Sequence, residues 1–178
     1  MALGWPVDCP PITSPGLVEQ EIFYLRILNG ITSAVLSAKT LYVDLVIIML
    51  GTNDLKPVFN RTPLRIPMGA AHLIDLVNTL NGGVGTSYKN PKVLLICPPA
   101  LNPNVDSGPI FGPMFKGGVE KSKQLPDLYE AVAKMGGAGF LNAGSVISTD
   151  GVDGLHLTAD SEQKLGIAIA AKVKEMLK

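Results

Sequence analysis

The chain is poor in the residues that build metal and redox centres. It has two cysteines, Cys9 and Cys97, and two histidines, His72 and His156, spread over 178 residues with no two of them close together. That spacing excludes the clustered Cys and His ligands of zinc sites, and neither a metal nor another cofactor is expected. Two cysteines make only a weak case for a disulfide, and unpaired thiols suit a reducing compartment. An excess of charge of one sign is lacking as well. The 15 Lys and Arg residues balance the 15 Asp and Glu residues, and no basic cluster occurs. This argues against nucleic acid or an anionic membrane surface as the main partner. Long apolar runs are missing too: "LVIIML" at 45–50 is the longest, far short of the roughly 20 residues needed to span a bilayer. The opening "MALGWPVDCPP" has neither the basic nor the apolar region of a secretory leader. The expectation is a cytoplasmic protein.

What is present reads as a globular chain. Hydrophobic residues make up 47% and charged residues 17%, a balance far from that of disordered chains. The length fits one domain, 1–178, with a divergent amino-terminal part over 1–42. Residues 43–50, "VDLVIIML", form a short apolar run rich in β-branched residues and stopped by Gly51. This pattern predicts a strand covered on both faces. "KVLLIC" (92–97) is a second such run, stopped by Pro98 and Pro99, and "GFLNAG" (139–144) a weaker third.

Helical periodicity fills the gaps. Ile66, Ala70, Leu73, Val77 and Leu80 share a face over 66–80, and Leu125, Leu128, Val132 and Met135 do so within 119–135, where Pro126 starts or kinks the helix. Over 160–177, Leu165, Ile169, Val173 and Met176 line one face, with Asp160 and Gln163 as a capping box. Strand and helix in alternation predict an α/β layer sandwich with a parallel sheet, whose ligands bind beyond the carboxyl ends of the strands. Over 17–28 the pattern fits a helix, or a strand in its second half, "IFYLRIL"; 31–40 reads as a helix.

Two motifs carry chemistry. In "DGVDGLHLT" (150–158) Asp153 precedes His156 by three residues. A carboxylate on Nδ1–H fixes the imidazole tautomer and leaves Nε2 to take a proton from a nucleophile. Asp150 is the competing orienting acid, six residues from the histidine. The second motif, "GTND" (51–54), ends the first strand. Its residue types suit a turn, and they also suit an oxyanion hole in which Asn53 donates side-chain N–H bonds.

"DLVIIMLGTNDLK" and "DGVDGLHLT" together resemble two of the sequence blocks of the SGNH hydrolases, also called the GDSL esterase family. "RTPL", "GGVGTSY", "PKVLLICPP" and "GSVISTDGVDGLH" extend the resemblance, which is closest to bacterial arylesterase and acyltransferase members. It implies a three-layer α/β/α sandwich of flavodoxin-like type with a mainly parallel sheet. It further implies a carboxylic ester hydrolase or acyltransferase acting on short-chain acyl esters through a serine-type acyl-enzyme. The roles implied are Asp153 as orienting acid, His156 as general base, Asn53 as oxyanion donor and Gly16, in "GL", as a second donor. A small-molecule ester is the expected partner, and a homo-oligomer the expected state.

The family's first block, Gly-Asp-Ser-Leu, which carries the nucleophilic serine, does not occur in this sequence. "ALGWPVD" (2–8) resembles the residues that follow that block, so the alignment starts beyond the serine. If "IFYLRIL" is a strand, it fills the vacated place in the sheet. "NGITSAVL" is then a strand-to-helix turn, with Thr32 two residues after Gly30 and Ser33 beside it as candidate nucleophiles. Both also suit an ordinary helix start. The alternative is an impaired or truncated esterase that keeps the fold and a small-ligand pocket. Trp5, Phe59, Phe111 and Phe115 are either core packing or the walls of an acyl pocket, and the "GPIFGPMFKGG" segment (108–118) has the composition of a pocket wall or a subunit contact.

Overall fold

A computed structural model describes residues 44–79 and 90–178. Among these residues three strands form one sheet in the order β1-β2-β3: β1 is Leu45–Ile48, β2 Lys92–Cys97 and β3 Gly139–Asn142. Both pairings are parallel, with Val46 opposite Val93 and Leu95 opposite Phe140. The helices are α1 (Arg65–Asn78), α2 (Phe111–Met114), α3 (Gly118–Ser122), α4 (Leu125–Met135) and α5 (Ala159–Met176). Among the described residues no helix is long and apolar enough to cross a membrane.

Strand β2 is the centre of the core, with Val93 through Cys97 all buried. Successive side chains of a strand point to opposite faces. On one face Leu94 and Ile96 join Ala143, Ile147 and Leu165, and Ile169, Val173 and Met176 of α5 pack against that cluster. Helices α1 and α4 pack on each other and on β2, and by alternation Val93, Leu95 and Cys97 face that side. Helix, sheet, helix is the three-layer α/β sandwich expected.

Several boundaries differ from the periodicity reading. Strand β1 covers only 45–48 and is not sealed on both faces, since Ile47 is 45% exposed. Strand β3 stops at Asn142, where the Asn142 side chain accepts the Gly144 N–H and opens a 3₁₀ turn over Ala143–Ser145. The predicted helix over 119–135 is two helices, α3 and α4, with Pro126 in the first turn of the second. Its buried face is Leu125, Tyr129, Val132 and Ala133, while Met135 is 74% exposed. Helix α5 is capped not by Asp160 but by Thr158, whose side chain accepts the Ser161 N–H. The segment 108–118 contains α2 and the start of α3. The readings at 17–28 and 31–40 lie outside the described residues.

Candidate functional site

In a parallel sheet the carboxyl ends of all strands lie at one edge, and here three connections meet there. The first, after β1, runs through Gly51 into a 3₁₀ turn over Asn53–Leu55. That turn closes on itself: Asp54 N–H donates to Gly51 O at 3.1 Å, and Lys56 N–H donates to Asn53 O at 3.2 Å. Leu55 is buried and anchors the turn, leaving Asn53 exposed. Beside it, burial raises the Asp54 carboxyl above its usual value against the opposing pull of the Arg61 guanidinium.

The last connection, after β3, carries the histidine. Gly151 N–H donates to His156 O at 2.9 Å, closing a six-residue loop. Within it Asp153 Oδ1 accepts the backbone N–H groups of Leu155 and His156, each at 2.9 Å. The other carboxylate oxygen, Oδ2, meets His156 Nδ1 at 2.5 Å. The imidazole hydrogen bond, followed by the two backbone N–H groups, holds the Asp153 carboxyl well below the usual carboxylate range. Asp153 is thus an anion across working pH, and it accepts from Nδ1–H. That arrangement leaves Nε2 as the nitrogen for proton transfer.

Asp150 does something else. Its Oδ1 accepts Thr158 N–H at 2.9 Å, and its Oδ2 accepts Thr158 Oγ1–H at 2.6 Å and Ser161 Oγ–H at 2.8 Å. These bonds, that from the Thr158 hydroxyl first, lower its pKa to about 2. Asp150 therefore anchors the start of α5, and Asp153 is the carboxylate that orients the imidazole.

The middle connection, after β2, joins the other two. Asn102 N–H donates to Gly154 O at 3.0 Å, and Thr149 Oγ1 donates to Ala100 O at 2.9 Å, so the histidine loop lies on the segment after β2. Gly154 has φ +70, and a Cβ there would sit 2.5 Å from Val105 N. Leu101 and Leu55 both lie against Gly118, which brings the Asn53 turn to the same segment. Lys56 Nζ stands 5.3 Å from the centre of the Phe115 ring, the Phe115 and Phe111 ring centres are 6.5 Å apart, and Phe111 meets the His156 ring edge-on at 5.8 Å. A continuous chain of contacts thus runs from the Asn53 turn to the imidazole along the carboxyl edge of the sheet.

Comparison with solved structures decides the family. A carbohydrate acetylesterase from Sinorhizobium meliloti is 49% identical over 82% of this chain and 67% of its own, with a TM-score of 0.75. The chain belongs to the SGNH hydrolase family. The aryl esterase of M. smegmatis is 42% identical over 94% of this SGNH chain and 73% of its own, TM-score 0.72. A GDSL-like lipase from Bacteroides thetaiotaomicron, at 20% identity and TM-score 0.60, shares the fold. No family model matches the chain, and no curated protein does.

Of the site residues read from the SGNH motifs, Asp153 and His156 are in direct contact, and Asn53 is at the same edge of the sheet. Gly16, Thr32, Ser33, Trp5 and Cys9 lie outside the described residues. Cys97 is buried and free, and burial pushes its thiol up to about 12, which leaves it unreactive. His72 lies exposed on α1. Among the described residues no group of three His, Cys, Asp or Glu is placed to hold a metal ion. Sequence reasoning missed Tyr129, whose hydroxyl donates to Leu50 O at 2.7 Å. Its only signal was the four-residue step from Leu125 to Tyr129 to Ala133.

Proposed function

We propose that this chain performs serine-type acyl transfer on short-chain acyl esters, with His156 as base, Asp153 as its orienting acid and Asn53 as oxyanion donor. The observation that carries the reading is the 2.5 Å contact between Asp153 Oδ2 and His156 Nδ1 in a carboxylate fixed by two backbone N–H groups. A hydroxyl nucleophile attacks the ester carbonyl carbon while its proton passes to His156 Nε2. The negative charge that develops on the carbonyl oxygen is met by the Asn53 side-chain N–H. His156 then returns the proton to the departing alcohol or phenol. Water, or a second alcohol in acyl transfer, repeats the attack on the acyl-enzyme. The Thr32 and Ser33 hydroxyls are the candidate nucleophiles and Gly16 N–H a second oxyanion donor. The protein works as a cytoplasmic homo-oligomer.

Hydrolysis of p-nitrophenyl acetate tests the reading. His156→Ala is expected to lower kcat at least about 10³-fold, and Asn53→Ala about 10²–10³-fold. Asp153→Asn keeps an oxygen for the two backbone N–H groups but loses the charge facing the ring, and a fall of about 10⁴-fold is expected. Mass mapping of a trapped acyl group then identifies the nucleophile. An unchanged rate in His156→Ala sinks the reading.

The absence of Gly-Asp-Ser-Leu from the sequence favours a second reading. In it the chain keeps the fold and binds small acyl compounds without turning them over. No acyl adduct and no rate above that of His156→Ala would support that alternative.

A further inference from the structure

We propose that Tyr129 is a positioning residue that sets the orientation of the Asn53 turn through the Leu50 carbonyl; the inference rests on the reading of Asn53 as oxyanion donor. Tyr129 lies on α4, is 1% exposed, and donates its hydroxyl to Leu50 O at 2.7 Å. Leu50 falls two residues beyond the end of β1, so its carbonyl is past the sheet ladder and its direction is open to side-chain control. The next residue, Gly51, is buried with φ +122. A Cβ at Gly51 would overlap the Tyr129 hydroxyl oxygen and would lie 3.1 Å from Ile66 Cγ2 on α1. The Leu50–Gly51 peptide is therefore gripped between α4 and α1, in a conformation that glycine alone adopts without strain.

Asn53 is two residues further on. Its turn closes on the Gly51 carbonyl through Asp54 N–H, so a rotation of the Leu50–Gly51 peptide carries Asn53 with it. A filler of the core needs only the Tyr129 ring. The hydroxyl is what fixes the peptide, and it does so beside the residue assigned to the oxyanion, where an error of about 1 Å costs on the order of 10²-fold in rate.

Tyr129→Phe separates these roles by deleting one oxygen. Two measurements are made on it: backbone amide exchange by NMR, and kcat and KM for p-nitrophenyl acetate, alone and combined with Asn53→Ala. Exchange of the Asp54 amide should rise about tenfold while the amides of Leu94–Ile96 hold their protection, because the loss is confined to the turn. The kcat should fall about tenfold at unchanged KM, and in the Asn53→Ala background Tyr129→Phe should cost nothing more. The inference is overturned if Asp54 exchange is unchanged, if exchange rises equally across β2, or if the two substitutions multiply independently. If Asn53→Ala alone leaves the rate untouched, or no turnover occurs, the oxyanion reading fails by itself, and the exchange comparison still decides whether Tyr129 holds the turn.

Discussion

Asp150 and Asp153 stand three residues apart on one loop and serve different partners. Both folded-state pKa values are depressed, so each carboxylate stabilises the fold above its unfolded value of 3.8 and loses that contribution as pH falls through the folded value. For Asp150 the window runs from 3.8 down to about 2. Asp150→Asn offers an NH₂ group to hydroxyls that need an acceptor, and it removes the charge at the start of α5. Its melting temperature at pH 7 is expected to fall by about 2–4 °C, the size of a lost helix cap in a domain of this length. Thermal scans at a series of pH values should show the gap to the wild type closing as pH falls from 3.8 towards 2, where Asp150 is protonated first in the unfolded chain and then in the fold. A gap that persists unchanged to pH 2.5 would remove the charge argument. Both aspartates were named from the sequence, where the three-residue spacing favoured Asp153 and left Asp150, six residues from the histidine, as its competitor. The hydrogen bonds separate them: the loop closed between Gly151 and His156 turns Asp153 inward and leaves Asp150 outside, next to Thr158.

Helix α5 shows how far a periodic pattern carries. Its apolar face, with Leu165, Ile169, Val173 and Met176 against Leu94 and Ile96, is the one that sequence spacing predicts. Leu165 is the member most deeply buried. Leu165→Ala is expected to cost about 2–4 kcal/mol, read from the urea midpoint at constant slope, because the cavity opens under β2 where little can collapse into it. Helix starts were less legible. Asp160 and Thr158 are both good capping residues, and the choice between them rests on Asp150, ten residues upstream of Asp160, which holds Thr158 in extended backbone. In α4 the leucine periodicity pointed to Leu128 and Met135, yet Tyr129 and Ala133 take the inward face. A tyrosine is read as amphipathic from sequence. The Leu50 carbonyl, two residues beyond β1, gives its hydroxyl a reason to be buried that no sequence pattern shows.

At the level of the whole chain, 15 positive and 15 negative charges cancel, and the isoelectric point is about 6.7. Electrostatic repulsion between copies is therefore weakest near neutral pH. Light scattering at fixed concentration should be greatest close to pH 6.7 and fall on either side, with added salt having its smallest effect at the maximum. A monotonic trend through that pH would show that apolar contacts, such as those available to exposed Ile47, Ile110 and Met135, govern association instead. The layered architecture was legible because β2 is apolar at nearly every position, as a strand covered on both sides must be. That Asn53 and His156 share one edge of the sheet was implied by the SGNH motifs, but the contacts that join the connections, such as Phe111 with His156, were not, because no local pattern encodes them.

The six-residue ring from Gly151 to His156 also bears on the order in which the parts assemble. Asp153 and His156 are near neighbours along the chain, so bringing them together requires closing only a short loop, an event of about 10–100 ns for flexible segments. Asn53 comes into register only once β1 and β2 have paired across a long stretch of intervening sequence, a contact of high order and correspondingly slow formation. The Asp153–His156 contact is therefore local in sequence, whereas the placement of the Asn53 turn depends on the non-local pairing of β1 with β2.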